Sequence, residues 1–141
     1  MTTKPAWSHL PNAKHIDAVL ADARKRPGAW DAARRAARRA AGDAARTAAW
    51  AAARTAARTA ARRAAWDAAW GAVQRAARTA AWDTARTAAR DAIAALVTWD
   101  SSADLLDCTP DVLRTMIDLA EPPVCHQAVL LLPYAIVRFG T

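Results

Sequence analysis

Cysteine, histidine and glycine are scarce in this chain, and their scarcity excludes several kinds of chemistry. Two cysteines, Cys108 and Cys125, are too few for a disulfide framework and suit a reducing compartment. Together with three histidines they form no metal-ligand spacing, and the four glycines form no phosphate loop. No histidine stands in a recognisable nucleophile motif. We therefore predict a protein that is not an enzyme and that needs no cofactor.

Long hydrophobic runs are absent as well. The longest strongly apolar stretch, residues 129–137, contains Pro133 and is far shorter than the ~20 residues that a membrane helix needs. Near the start of the chain, Lys4, Pro5 and His9 interrupt any signal-peptide core. We expect a soluble, cytoplasmic protein with no membrane partner.

Alanine takes the place of large apolar side chains in the middle of the chain. Residues 29–92 form sixteen consecutive tetrapeptides, or tetrads, with alanine at the first and fourth places, and only Val73 and Thr84 depart from this frame. The third place holds mostly Asp, Thr and Arg. The second-place residues, which we call the ladder, are Trp30, Arg34, Arg38, Gly42, Arg46, Trp50, Arg54, Arg58, Arg62, Trp66, Trp70, Gln74, Arg78, Trp82, Arg86 and Arg90.

Acidic residues are missing from residues 46–63, although arginine occupies every ladder position there except Trp50. Residues 29–92 carry thirteen Arg against five Asp, or +8, whereas the rest of the chain carries seven Lys or Arg against eight acids, or −1. Arginines four residues apart, such as Arg54, Arg58 and Arg62, repel one another in a helix. An anionic partner relieves this repulsion, so the basic field predicts binding to a polyanion.

Arginine and tryptophan together suit a phosphate-bearing ligand. Guanidinium groups form bidentate hydrogen bonds with phosphate, and indole rings offer faces on which bases stack. The residues predicted to bind an anion or nucleotide are Arg46, Arg54, Arg58, Arg62, Arg78, Arg86, Trp50, Trp66, Trp70 and Trp82.

A second interpretation of the ladder needs no ligand. Its four residue types, Arg, Trp, Gly and Gln, are joined by single-base codon changes, so duplication of a twelve-nucleotide unit can produce the pattern. Each tryptophan can then fill space between helices, because alanine side chains are too small to fill it.

The period of four residues conflicts with the geometry of a straight helix. Alanine and arginine give high helix propensity, but a column that repeats every four residues turns by about 40° per tetrad around an α-helix. We predict several stacked helices that break near Gly42 and Gly71 and pack through their alanine faces. A π-bulge every two or three tetrads, or a single long helix that oligomerises, would be the alternatives.

The predicted fold is all-α, with stacked short helices closed by a C-terminal hydrophobic helical subdomain. Within one domain of residues 1–141, an N-terminal helix occupies 1–28, the repeat helices occupy 29–98, and the hydrophobic cap occupies 99–141. Asn12 is the expected N-cap of the first helix, and Pro27 with Gly28 its expected end. A further helix is expected from Pro110 to 120. The last segment is expected to be a helix kinked at Pro133, with a strand as the alternative.

The tetrads AWDA at residues 29–32 and 65–68, AWDT at 81–84 and the later LLLP at 130–133 resemble the alanine-rich AAWD/AARx repeat proteins of bacteriophages and bacteria. The resemblance implies a small phage or phage-like accessory protein in a bacterial host cell. It also implies an anti-defence role, exercised by binding a partner or sequestering a nucleotide.

These observations support two functional hypotheses. In the first, the ladder binds an anionic partner, either nucleic acid or a signalling nucleotide. In the second, the chain is a helical protein–protein interaction or structural module with no nucleotide ligand. We also expect a homo-oligomer.

Overall fold

Helices form all the regular elements in the part of the chain that the computed structural model describes, which is residues 5–75 and 80–140. The helices are α1 (Ala13–Lys25), α2 (Pro27–Ala56), α3 (Ala60–Arg75), α4 (Ala80–Thr98), a 3₁₀ helix (Asp100–Leu105), α5 (Pro110–Leu119) and α6 (Val124–Phe139). The predicted all-α class is therefore confirmed. No helix within these described ranges is both long enough and apolar enough to cross a membrane.

The first helix ends where the sequence predicts. Helix α1 ends at Lys25, directly before Pro27 and Gly28, and Pro27 is already the first residue of α2. Proline fits that position because the first N–H groups of a helix have no intrahelical acceptor. Pro27 and Gly28 therefore form the first turn of α2.

The break predicted near Gly42 is confirmed, whereas Gly71 itself does not break a helix, and the residues between Arg75 and Ala80 lie outside the described part of the chain. Gly42 interrupts α2 with φ 83° and ψ 163°, a conformation that is essentially restricted to glycine. Gly71, in contrast, lies inside α3, where the Arg75 guanidinium folds back to 3.0 Å from the position that a β-carbon would occupy. The second break falls at residues 57–59 instead. No π-bulge occurs among the described residues.

These breaks resolve the conflict between the tetrad and the helical turn. Each uninterrupted piece contains three complete tetrads. Across three tetrads the ladder residues turn by about 80° around the helix axis, so they stay on one side of their helix.

Side chains from distant helices hold the end of α4. The Nδ2 atom of Asn12 donates to the carbonyls of Leu96 and Trp99 at 3.0 and 3.2 Å. Arg62 Nη1 donates to Val97 O at 2.6 Å. The last carbonyls of a helix lack partners within it, so these bonds satisfy them. Asn12 stands at the N-cap position of α1 but makes no cap bond there, so the predicted capping role was wrong.

The apolar C-terminal helix lies in the core. Leu130, Leu131 and Leu132 are at most 2% exposed, and α6 contacts α2 and α4 as well as α5. The segment is helical throughout with Pro133 inside it, so the alternative strand is wrong. A separate C-terminal subdomain is not confirmed, because α6 has more contacts with α2 than with α5.

Alanine faces bring the repeat helices together. Helices α2 and α4 are in extensive contact, and alanines on both are completely buried. Such buried alanines include Ala49 and Ala53 on α2 and Ala88 and Ala92 on α4. Small side chains allow two backbones to approach closely, which leaves the longer ladder residues at the edges of the contact.

Candidate functional site

Four consecutive ladder positions line one small cavity at the kink of α2. Arg34, Arg38, Gly42 and Arg46 surround a space of about 40 Å³, which Val129 and Pro133 of α6 border with other residues. In an unbroken helix these positions would spread over about 120° of the circumference. Because Gly42 interrupts the helix between them, the arginines on either side face the same space. We call this space the kink cavity.

Two carboxylates fix the directions of two of these arginines. Arg46 donates through Nε and Nη2 to the two oxygens of Asp91, both at 2.8 Å. Arg38 makes the same paired contact with Asp43 at 3.0 Å. A guanidinium has five N–H donors, so each arginine retains its Nη1 group for a further acceptor. The Arg34 side chain makes no hydrogen bond or ion pair with the described part of the chain, although its charge opposes the rise that burial causes in the pKa of the nearby Asp91 carboxyl.

Asp91 is the buried centre of this arrangement. It is 4% exposed and also accepts a hydrogen bond from Trp50 Nε1 at 2.6 Å. Burial raises the pKa of the Asp91 carboxyl, and the hydrogen bonds from Arg46 and Trp50 oppose the rise. The pKa of Arg46 is also raised, chiefly because it donates to Asp91. With three arginines and two aspartates, the side chains around the cavity carry a net charge of +1.

The predicted stacking rings pack against one another. Trp50 stacks on Trp66 with centroids 5.7 Å apart, and Trp70 is tilted against both at 5.4 and 5.3 Å. The Arg90 guanidinium lies 4.6 Å from the centroid of Trp70. Trp66 is only 6% exposed and Trp82 only 2%. A base has no open ring face on Trp66 or Trp82, because burial covers both sides, so the predicted stacking role is not supported at these two positions.

A larger groove lies beside the tryptophan cluster. It has a volume of about 310 Å³ and is lined by Arg54, Ala57, Arg63, Trp66, Asp67 and Trp70. We call it the tryptophan groove. The side chains of Arg54 and Arg63 are exposed and make no hydrogen bond or ion pair with the described residues.

The other predicted arginines that the structure describes lie apart from these two sites. Arg62 is engaged inside the fold, because it also pairs with Asp100 at 2.8 Å. Arg58 is exposed and donates to Thr55 O at 3.0 Å. Arg86 borders a third cavity with Trp82, and Arg78 lies outside the described residues.

The structure adds residues that the sequence interpretation did not select. Arg34 and Arg38 are ladder residues, but they stand in a stretch that contains acids and were not chosen. Asp91 contacts Arg46 from 45 positions further along the chain. Gly42 was the one feature of the sequence that could have indicated this site. A helix break at Gly42 changes which ladder residues can face the same space.

Among the described residues, no group of three or more His, Cys, Asp or Glu side chains could hold a metal ion. Comparison with known proteins gave no matching family model, no similar curated protein and no similar solved structure.

Proposed function

We propose that this chain is a non-enzymatic binding protein that takes a phosphate group of a nucleotide or nucleic acid into the kink cavity. The observation that carries the proposal is the convergence of Arg34, Arg38 and Arg46 on one space at Gly42. Sequestering a signalling nucleotide in this way fits the anti-defence role that the resemblance implies.

The chemistry of the cavity suits an oxyanion with several acceptor atoms. Buried Asp91 orients Arg46, so little side-chain entropy of Arg46 remains to be lost when a ligand accepts from its Nη1 group. Asp43 pairs with Arg38 on the exposed side of the cavity and restricts that side chain less. The Arg34 guanidinium makes no hydrogen bond or ion pair with the described residues, and guanidinium groups match phosphate in planar, two-point contacts. The aspartates serve to position the donors, and the third arginine supplies the excess positive charge.

The size of the cavity limits what enters it. A space of about 40 Å³ corresponds to roughly three water molecules, since one water needs about 10 to 15 Å³. One phosphate group can therefore enter while the rest of the ligand stays outside. Because Trp66 and Trp82 have no open ring face, we expect the phosphate to provide most of the affinity and the base to provide little.

A matched pair of arginine variants tests the site. Arg34→Gln removes a cavity guanidinium without breaking an ion pair, and Arg39→Gln removes an exposed charge from the same half of α2 outside the kink cavity. A charge-assisted hydrogen bond contributes about 1.5 to 3 kcal/mol, so Arg34→Gln should weaken binding about tenfold or more. Arg39→Gln should change it much less.

Calorimetric titrations with inorganic phosphate, a mononucleotide, a cyclic dinucleotide and single- and double-stranded oligonucleotides distinguish the sources of phosphate. Nucleic acid is indicated if affinity grows with oligonucleotide length and falls steeply with salt, because several phosphates are then neutralised. A small nucleotide is indicated if affinity is independent of length. If the wild type binds none of these probes, or both variants lose affinity equally, the kink cavity is not a phosphate site.

A further inference from the structure

Acidic residues are concentrated on the part of the chain that follows the repeat. Residues 100–121 contain six acids and one base, which gives −5, against +8 for residues 29–92. The acids are Asp100, Asp104, Asp107, Asp111, Asp118 and Glu121. One molecule therefore carries two regions of opposite charge, which favours contact between the acidic region of one copy and the basic region of another.

The C-terminal end of α5 carries an exposed apolar side chain between acids. Leu119 is 79% exposed, more than either other large apolar side chain that the described structure leaves on its surface. Asp118 precedes it, and Glu121 follows two residues later, and both are exposed. We call Leu119, Asp118 and Glu121 the acidic knob. A single exposed leucine is ordinary on a protein surface, so the flanking charges matter to the argument.

The tryptophan groove has complementary chemistry. Trp70 is the least buried apolar side chain of its lining, since Trp66 is 6% exposed and Ala57 is fully buried. The side chains of Arg54 and Arg63 stand at its border and have no hydrogen bond or ion pair with the described residues. Asp67 is the one acid of the lining, so the groove side chains carry a net charge of +1. An aliphatic side chain between two carboxylates suits this combination of an apolar floor and two guanidinium groups.

We propose that the acidic knob of one copy docks into the tryptophan groove of a second copy. Leu119 contacts the exposed part of Trp70, while Asp118 and Glu121 pair with Arg54 and Arg63. The two surfaces differ, so the contact is head-to-tail and leaves one knob and one groove open in each pair. Such contacts produce an open chain, or a ring if the rotation between copies closes. This surface is separate from the kink cavity.

Sedimentation velocity of the full chain over a range of protein concentrations tests the contact. We expect the average mass of the wild type to rise with concentration, and to rise less at high salt. Leu119→Ser should weaken association at least about tenfold without changing helicity by circular dichroism, because the side chain is exposed. Asp104→Arg and Arg75→Glu are controls, since both change exposed charges outside the knob and the groove.

A charge-swap pair identifies the two surfaces directly. Asp118→Arg/Glu121→Arg makes the knob basic, and Arg54→Glu/Arg63→Glu makes the groove acidic, so each double variant alone should remain monomeric. In an equal mixture every knob meets a groove of opposite charge, and assembly should return. The proposal is overturned by a wild type that is monomeric at all concentrations, by swaps that leave its association unchanged, or by a mixture that stays monomeric. In the last two cases another partner or another surface is indicated.

Discussion

The Arg46–Asp91 pair should respond unequally to the loss of its two members. The Asp91 side chain is 5% exposed, whereas the Arg46 side chain is 40% exposed. Removing Arg46 leaves a carboxylate in the interior with Trp50 as its one remaining side-chain donor among the described residues. Removing the charge of Asp91 leaves a guanidinium that water can still reach. The arginine substitution should therefore be the more damaging one, although the two groups share the same hydrogen bonds.

Removing one partner of a buried pair costs about 3 to 5 kcal/mol, and we expect Arg46→Met to fall near the lower value because the pair is partly exposed. Asp91→Asn keeps an acceptor for Trp50 and should cost about 1 to 2 kcal/mol. For a domain of this length, about 3 kcal/mol lowers the melting temperature by roughly 10 °C. Urea unfolding followed by far-ultraviolet circular dichroism measures both variants without relying on the fluorescence of Trp50.

The pH dependence gives an independent check of the same reasoning. Burial raises the pKa of Asp91 above its unfolded value, so the folded state takes up the proton first as the pH falls. Without Arg46 this rise is larger. The stability of Arg46→Met relative to the wild type should therefore improve as the pH is lowered from 7 towards 4, and Asp91→Asn should not show this recovery. The reasoning would be refuted if both variants lose the same free energy of unfolding at pH 7 and the difference between their stabilities does not change with pH. The Asp91 carboxylate would then not be the group that depends on its partner.

Three further comparisons test the fold. Gly42→Ala should cost about 1 to 3 kcal/mol because φ 83° and ψ 163° suit glycine alone, whereas Gly71→Ala should stabilise the helix by up to about 1 kcal/mol. Urea midpoints that move in the same direction would contradict this. Leu131→Ala should cost about 2 to 5 kcal/mol and Leu119→Ala at most about 0.5 kcal/mol, since the residues are 2% and 79% exposed. Equal shifts in the melting temperatures of the two variants, measured on dilute protein, would show that α6 is not part of the core. Asn12→Ala should cost about 1 to 3 kcal/mol and speed amide hydrogen exchange near the end of α4, and unchanged stability would remove its role as a tether.

The helices themselves follow from the sequence, but one of their breaks does not. Alanine and arginine favour helix, and glycine permits the conformation at residue 42. The break at residues 57–59 has no such local signal. Residues 53–56 and 57–60 have the same sequence, ARTA, yet the first tetrad continues α2 and the second contains the break. Identical tetrads have identical propensities, so tertiary contacts decide between them.

The same limit applies to the candidate site. Arg58 and Arg62 occupy neighbouring ladder positions, but Arg62 turns inward to the end of α4 and Arg58 remains exposed. The burial of Trp66 depends on Trp50, sixteen positions earlier, and on the break between them. A residue's place in the tetrad fixes its direction relative to the axis of its own helix only. The packing of the helices then decides whether that direction faces solvent, a partner or the core.

The mismatch between the tetrad and the helical turn also restricts how such a gene can lengthen. One added tetrad inside a helix rotates everything after it by about 40°, and about nine additions are needed before the faces coincide again. A duplication of four codons therefore preserves local helix propensity and still misplaces every buried alanine beyond it. Near Gly42, or at residues 57–59, the chain already changes direction, and an insertion there disturbs fewer contacts. Variation in repeat number should accordingly be tolerated at the breaks and eliminated within the helices.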